Sequence, residues 1–181
     1  VALARDESPR PNSTVERLGR IATVYGTTAI TAGNAPGVND GAAVLLLASE
    51  EAAAHAGGRP LARVVGWAES AGPPREFPVA SAQAIARLLE KTGLSIDDIA
   101  AIEVNEAFAC VPLICGQDLG WDAERVNRHG GSVAMGHPIG ASGARLVLTA
   151  AYQLRETGGR YAIAAICSGT GQGDAILLEA M

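Results

Sequence analysis

The chain has no long apolar run. Nowhere do apolar residues approach the ~18 uninterrupted positions that a spanning helix needs, although 48% of the 181 residues are hydrophobic and only 18% charged. That balance is apolar without being membranous, and it argues against a membrane partner. The first eleven residues, Val-Ala-Leu-Ala-Arg-Asp-Glu-Ser-Pro-Arg-Pro, lack the basic-then-apolar plan of a secretory signal. An initiator Met is also missing, so a preceding segment is expected. Cationic excess is absent too: Lys and Arg number 14 against 19 Asp and Glu, a net charge of −5. This argues against a nucleic-acid partner, which needs clustered Lys and Arg to neutralise phosphates. An anionic small ligand is still allowed, because a local basic mouth can sit on an acidic protein. Cysteine is scarce and odd in number, at three. The three read as free thiols in a reducing compartment rather than a disulfide framework, so a cytoplasmic location is expected. There is no internal repeat of fixed short period. The length suits one generous domain or two small ones, with a core that needs no staples.

Along the chain, the first 26 residues are polar, with Pro9, Pro11, Asn12 and Ser13 clustered and one short helical candidate at Thr14–Arg20. Thr28–Thr31 suits a short strand, and 32–37 is a turn-rich loop. Ala42–Ala48 is a continuous apolar run that predicts a strand buried on both faces. Ser49 before Glu50 and Glu51 predicts an N-cap, with a helix running to about Gly57-Gly58. Leu61–Ala68 is β-like, and Ser70–Pro78 predicts an exposed loop. Ala80–Thr92, closed by Gly93, predicts a helix. Ser95–Asp98 predicts a turn and Ala101–Val104 a strand. Ala107–Leu119 and Ala141–Thr157 predict buried helices. Tyr161–Ile166 and Ala175–Glu179 predict strands joined by the Gly-rich Ser168–Asp174. The later order, β-α-β-α-β-β, points to α/β layers.

Four segments could carry chemistry. In Val104-Asn105-Glu106-Ala107-Phe108-Ala109 a polar pair sits where a strand gives way to a helix, a place where ligands and anions bind. The simpler reading makes Asn105 the helix cap and Glu106 a complement to its dipole. In Gly136-His137-Pro138-Ile139-Gly140-Ala141-Ser142-Gly143 an imidazole is held on a rigid loop, and its ordinary pKa near 6.5 suits proton transfer. The alternative is a plain surface histidine, against which the flanking glycines weigh by allowing close backbone approach. Cys167-Ser168-Gly169-Thr170-Gly171-Gln172-Gly173 opens a Gly-rich turn with a thiol whose following N–H groups can hold an oxyanion. A structural strand-end cysteine is the alternative. This run is no dinucleotide fingerprint, since it leads into a strand. The fourth, Thr31 to Ala43, is by itself an ordered loop. Cys110 and Cys115 read as core, and their spacing is poor for zinc; no metal site is expected. His55 reads as a surface helix residue.

In this order and spacing, the four segments resemble the C-terminal portion of thiolases, the acyl-CoA acetyltransferases, over about Asp6 to Met181. Pro74-Arg75-Glu76-Phe77-Pro78 and Ala165-Ile166-Cys167-Ser168-Gly169 look closest to bacterial and archaeal acetyl-CoA acetyltransferase-like members. The resemblance implies a layered α/β/α/β/α fold built of two similar halves. Residues 1–20 would end the loop domain or a connector, 21–56 would supply the last elements of the N-terminal half, and 57–181 would form the C-terminal domain. It implies that a cysteine in the N-terminal half is acylated by an acyl-CoA. Cys167 would then move a proton at the α-carbon or thiol, and His137 would activate the nucleophile. His137 and Asn105 would share one hole for the thioester oxygen, and the N–H of Gly169 would serve a second. Ala35, Pro36, Ala107 and Phe108 would bind substrate. Coenzyme A thioesters are implied as substrates, with no further cofactor.

This sequence departs from the family pattern in several places. No second cysteine lies in a nucleophile-like context, so the chain alone is expected to lack the covalent step. Pro36 stands where many thiolases place a serine on the pantetheine arm, and it has neither hydroxyl nor N–H to offer. His129 replaces an asparagine of Asn-x-Asn-Gly-Gly, and the 70–78 loop is short. These bear on acyl-chain preference and coenzyme A affinity. The implied partners are acyl-CoA, a complementary N-terminal thiolase half, and further copies in a homo- or hetero-oligomer, because half a layer system leaves apolar faces open. The alternatives are a non-catalytic thiolase-like binding or assembly subunit and, with less support, a stand-alone Cys–His hydrolase.

Overall fold

A computed structural model describes residues 4–6 and 9–181, so residues 1–3 and 7–8 of the expected 1–20 connector lie outside the described residues. The elements in chain order are α1 (Val15–Leu18), α2 (Glu50–His55), β1 (Ala62–Ala71), α3 (Phe77–Thr92), β2 (Ile99–Val104), α4 (Cys110–Leu119), α5 (Ser132–Met135), α6 (Ile139–Thr157), β3 (Tyr161–Cys167) and β4 (Gln172–Ala180), with short 3-10 turns at 74–76, 96–98 and 123–125.

The sheet runs β1-β4-β3-β2. β2 and β3 are parallel, with Val104 opposite Ala165, while β4 is antiparallel to both β3 and β1. A parallel pair needs a crossover, and α4 to α6 supply it. α3 and α4 cover one face of the sheet and α6 the other. β2 and β3 are therefore sandwiched, which is why they read as continuous apolar runs. Ile102, Val104, Ile163, Ala165 and Cys167 face α3 and α4. Ala101, Ala162 and Ala164 face Leu146, Ala150 and Leu154 of α6. The result is a three-layer α/β/α stack.

Local signals explain the helix ends. Ser49 Oγ accepts the N–H of Ala52 at the start of α2, and Gly93 closes α3 at φ 71 in the left-handed region. Ser95 and Asp98 form a reciprocal capping box.

Four expectations need correction. Ala42–Ala48 is irregular rather than a buried strand, and Val44, Leu46 and Leu47 are largely exposed. A strand needs a neighbour for its ladder, and no described strand lies beside it. Thr28–Thr31 makes only an isolated antiparallel bridge between Thr23 and Thr31. The helix expected from Ala107 starts at Cys110 and buries only Val111 and Cys115, with Leu113 exposed to solvent. In addition, the predicted 70–78 loop is shorter than expected. β1 runs through Ala71 and α3 begins at Phe77 with Pro78 in its first turn, where a missing N–H costs nothing. Ser70 is buried there because its hydroxyl donates to Ala80 O at 2.7 Å.

Candidate active site

The site sits at the carboxyl end of the parallel pair β2/β3, where strand ends open to ligands in α/β sheets. Asn105 follows β2 directly, and its N–H continues the ladder to Ala165 O at 2.9 Å. Its side chain is fully buried. Asn105 Oδ1 accepts from Ser132 Oγ at 2.7 Å, and Asn105 Nδ2 lies 3.3 Å from His137 Nε2. The capping reading of this residue is therefore wrong: α4 begins five residues later, and its N-cap, Ala109, makes no side-chain cap bond. Glu106 does not complement the helix dipole either. One carboxylate oxygen accepts the N–H of Val133 at 2.9 Å and the other accepts Asn127 Nδ2 at 3.1 Å. A Cβ on Gly131 would meet this carboxylate at 2.1 Å, so the glycine admits it. Glu106 thus ties the strand end to the turn that carries Ser132.

His137 is held from three sides. Its N–H donates to Asn39 Oδ1 at 3.0 Å. Its Nδ1 lies 2.7 Å from Ser142 Oγ, which donates onward to Pro138 O at 3.1 Å. Val38 bridges it in parallel fashion. Gly136, at φ 100, lets the backbone pass Asn39, because a Cβ there would meet the Asn39 amide at 2.6 Å. The Thr31–Ala43 loop is thus a brace. Asn34 O accepts the N–H of Ala109, and Asn39 holds His137. Burial lowers the imidazole pKa from 6.5, and the Arg145 charge adds to the shift. His137 is therefore mostly neutral at neutral pH and can act as a base.

A cleft of about 380 Å³ is lined by Ala35, Pro36, Ala107, Phe108 and His137, together with Tyr25, Gly37, Val38, Asn39 and Ile139. All four residues expected to bind substrate therefore share one cavity with the imidazole. Phe108 anchors its wall, edge-on to Tyr25 and tilted against Phe77, with ring centroids 6.2 and 6.1 Å away.

Cys167 ends β3 at the same sheet edge, one residue past the register position of Asn105. Its thiol points to the α3/α4 face rather than the α6 face. Burial pushes its pKa up, and the nearby Ser81 hydroxyl opposes this. Among the described residues Ser81 Oγ meets no strict hydrogen-bond geometry, and the thiol is the group it approaches. The protonated thiol is a proton donor in waiting. Neither Cys167 nor Gly169 lines the cleft. Gly169 lies in the turn closed by Gly171 N to Ser168 O at 2.9 Å, with open space where a side chain would stand. Cys115 is core, its pKa raised by burial to about 12, and Cys110 is half-buried. His129 pairs with Glu156 at 2.8 Å on the surface.

Sequence reasoning quoted Asn39 and Ser142 without a role, and it missed Ser132, Arg145 and Glu103. A Ser, an Arg or an acid carries no local signal of a long-range bond. The one available hint was Glu103, an acid inside an apolar strand.

Comparison with known proteins places the chain in a family. The thiolase C-terminal domain model matches residues 58–180 and the thiolase N-terminal domain model residues 1–51. A beta-ketoadipyl-CoA thiolase of Pseudomonas aeruginosa is 50% identical over 177 residues, 96% of this chain and 44% of that protein. An acetyl-CoA acetyltransferase of Escherichia coli is 43% identical, over 97% of this chain and 45% of its own length. The crystal structure of the Bacillus anthracis acetyl-CoA acetyltransferase superposes with a TM-score of 0.93 at 41% identity, covering 98% of this chain and 45% of that one. Human mitochondrial 3-ketoacyl-CoA thiolase in complex with CoA superposes at 0.89 with 38% identity, over 97% and 45%. The chain spans a little under half the length of the relatives it matches. With the family's C-terminal model matched over most of its residues, the chain belongs to the thiolase family.

Proposed function

We propose that the chain is the C-terminal part of an acyl-CoA acyltransferase that cleaves or forms 3-ketoacyl-CoA thioesters once an N-terminal half supplies the nucleophilic cysteine. The observation that carries this reading is the Asn105–His137 contact at 3.3 Å, with His137 opening on a cleft shared by Ala35, Pro36, Ala107 and Phe108. Coenzyme A thioesters are the substrates, and no further cofactor enters. In the cleavage direction His137 takes the nucleophile's proton, and the sulfur attacks the 3-keto carbon. The C2–C3 bond breaks, its electron pair goes to C2 as an enolate, and the Cys167 thiol protonates that carbon. The thiol of a second coenzyme A then displaces the acyl group from the enzyme sulfur. Asn105 with His137, and the N–H of Gly169, stabilise the oxyanions, where donors fixed in advance are worth most. A protonated Cys167 suits the proton-delivery step. Cytoplasmic location fits the three free thiols, and no helix among the described residues is long and apolar enough to cross a membrane.

The test pairs the chain with an N-terminal thiolase half and follows coenzyme A-dependent cleavage of a 3-ketoacyl-CoA. Cys167→Ala and His137→Ala are each expected to lower kcat by ~10²–10⁴. Cleavage that survives both substitutions together overturns the proposal. A complex that assembles and never acylates supports instead the non-catalytic subunit, the reading favoured by Pro36 in the cleft wall, which offers no hydrogen-bond donor.

A further inference from the structure

We propose that Arg145 sets the tautomer of His137 through a one-way chain of hydrogen bonds that passes through Ser132 and Asn105. A guanidinium can only donate. Arg145 Nη1 is held 3.1 Å from Glu103 Oε2, and the other oxygen of this buried carboxylate accepts from Gln153 Nε2 at 2.8 Å. Pinned in this way, Arg145 directs Nη2 at Ser132 Oγ, 3.2 Å away. Ser132 is fully buried. A hydroxyl that accepts still has one proton to place, and the acceptor 2.7 Å away is Asn105 Oδ1.

That commitment fixes the carboxamide. With its oxygen toward Ser132, Asn105 turns Nδ2 toward His137 Nε2 at 3.3 Å. Two N–H groups cannot face each other, so Nε2 presents its lone pair. A neutral imidazole then carries its proton on Nδ1, 2.7 Å from Ser142 Oγ, whose own proton goes to Pro138 O at 3.1 Å. Each donor in the chain has an acceptor; with the Asn105 amide reversed, Arg145 and Nδ2 would both donate to Ser132, and that buried hydroxyl's own proton would lose its acceptor. Nε2 is therefore the basic nitrogen. Arg145 does not line the cleft, so it is a positioning residue. The inference rests on the proposed role of His137 only for its consequence in turnover.

The experiment uses the full protein carrying this chain, with ¹⁵N-labelled histidine and the His137 signals assigned by comparison with His137→Gln. Nitrogen–proton correlation spectra report the tautomer directly. Wild type is expected to show a protonated Nδ1 and an unprotonated Nε2. Arg145→Met and Ser132→Ala are each expected to admit the Nε2–H form. Each should also lower kcat about tenfold or more with KM changed less than about threefold, and the double variant should be no worse than either single one. A wild-type Nε2–H tautomer overturns the inference. So does a tautomer unmoved in both variants, or a pair of kinetic effects that simply add. Ser132→Ala deletes one buried oxygen and keeps the test alive if Arg145→Met does not fold. A wild-type protein with the expected tautomer that cleaves no 3-ketoacyl-CoA refutes the proposed function and leaves this inference standing.

Discussion

At the residue scale, the unusual group is Glu103, an acid with no solvent exposure one residue before the end of β2. Burial drives its pKa from 4.5 up to about 7, against the lowering effects of Gln153 and Arg145. A carboxyl raised on folding binds its proton more tightly in the folded state. Its stabilising share is thus complete below pH 4.5 and is lost as pH climbs through about 7. The loss is on the order of 1–3 kcal/mol. Glu103→Gln keeps the shape and cannot titrate. Unfolding free energies from urea melts should fall between pH 5 and pH 8 for the wild type relative to the variant by that amount. A difference that stays flat, or runs the other way, refutes the assignment. His137, whose pKa is lowered, shifts stability in the opposite sense, and it cancels because both proteins carry it. Any offset between the proteins at pH 8, where Glu103 is ionised, reports the separate effect of exchanging the carboxylate beside Arg145 for a neutral amide.

Among elements, the close passage of β4 under the start of α3 governs the sheet's packing. Gly173 lies so near that a Cβ would meet Ala80 O at 2.2 Å and Ser70 Oγ at 2.8 Å. The obstacle is backbone, which cannot swing aside as a side-chain tip can. Gly173→Ala is expected to cost ~1–3 kcal/mol, read as a lower Tm. Because Gly173 pairs with Cys167 across the ladder, the turn that carries Gly169 should shift as well. An unchanged Tm means that β4 and α3 have room to part. Most elements were legible beforehand because their signals are local: Ser49 and Gly93 at helix ends, and β-branched or small apolar runs for β2 and β3. The 42–48 run carried the same apolar signal and has no strand, since a ladder requires a partner that the run's own residues cannot specify.

The molecule as a whole leaves much apolar surface uncovered. Val38, Leu46, Val44, Ile139, Leu47 and Leu113 are each more than two-thirds exposed. A second apolar recess lies against α6 and the sheet, lined by Trp67, Leu146, Val147, Ile166 and Ile176. So many large apolar side chains open to water mark surfaces that association would cover. The chain by itself is expected to self-associate or bind a hydrophobic dye in sizing and fluorescence experiments, and pairing with an N-terminal thiolase half should suppress both. A monodisperse monomer that binds no dye contradicts this.

The residues alone determined the glycine-closed helix ends, the β-α-β-α-β-β order, and the four segments whose spacing resembles thiolases, because caps, periodicity and motif spacing are properties of neighbouring positions. They did not determine what Asn105 and Glu106 do. Read locally, the pair is a helix cap and a dipole complement; folded, one amide joins Ser132 to His137 and one carboxylate ties down the 131–133 turn. Nor did they reveal that Arg145 reaches Asn105 through Ser132, or that Asn39 supports His137 from 98 positions away. Only tertiary structure decides such matters, because a hydrogen bond depends on distance in space, and the crossover brings together side chains whose separation along the chain carries no trace of it.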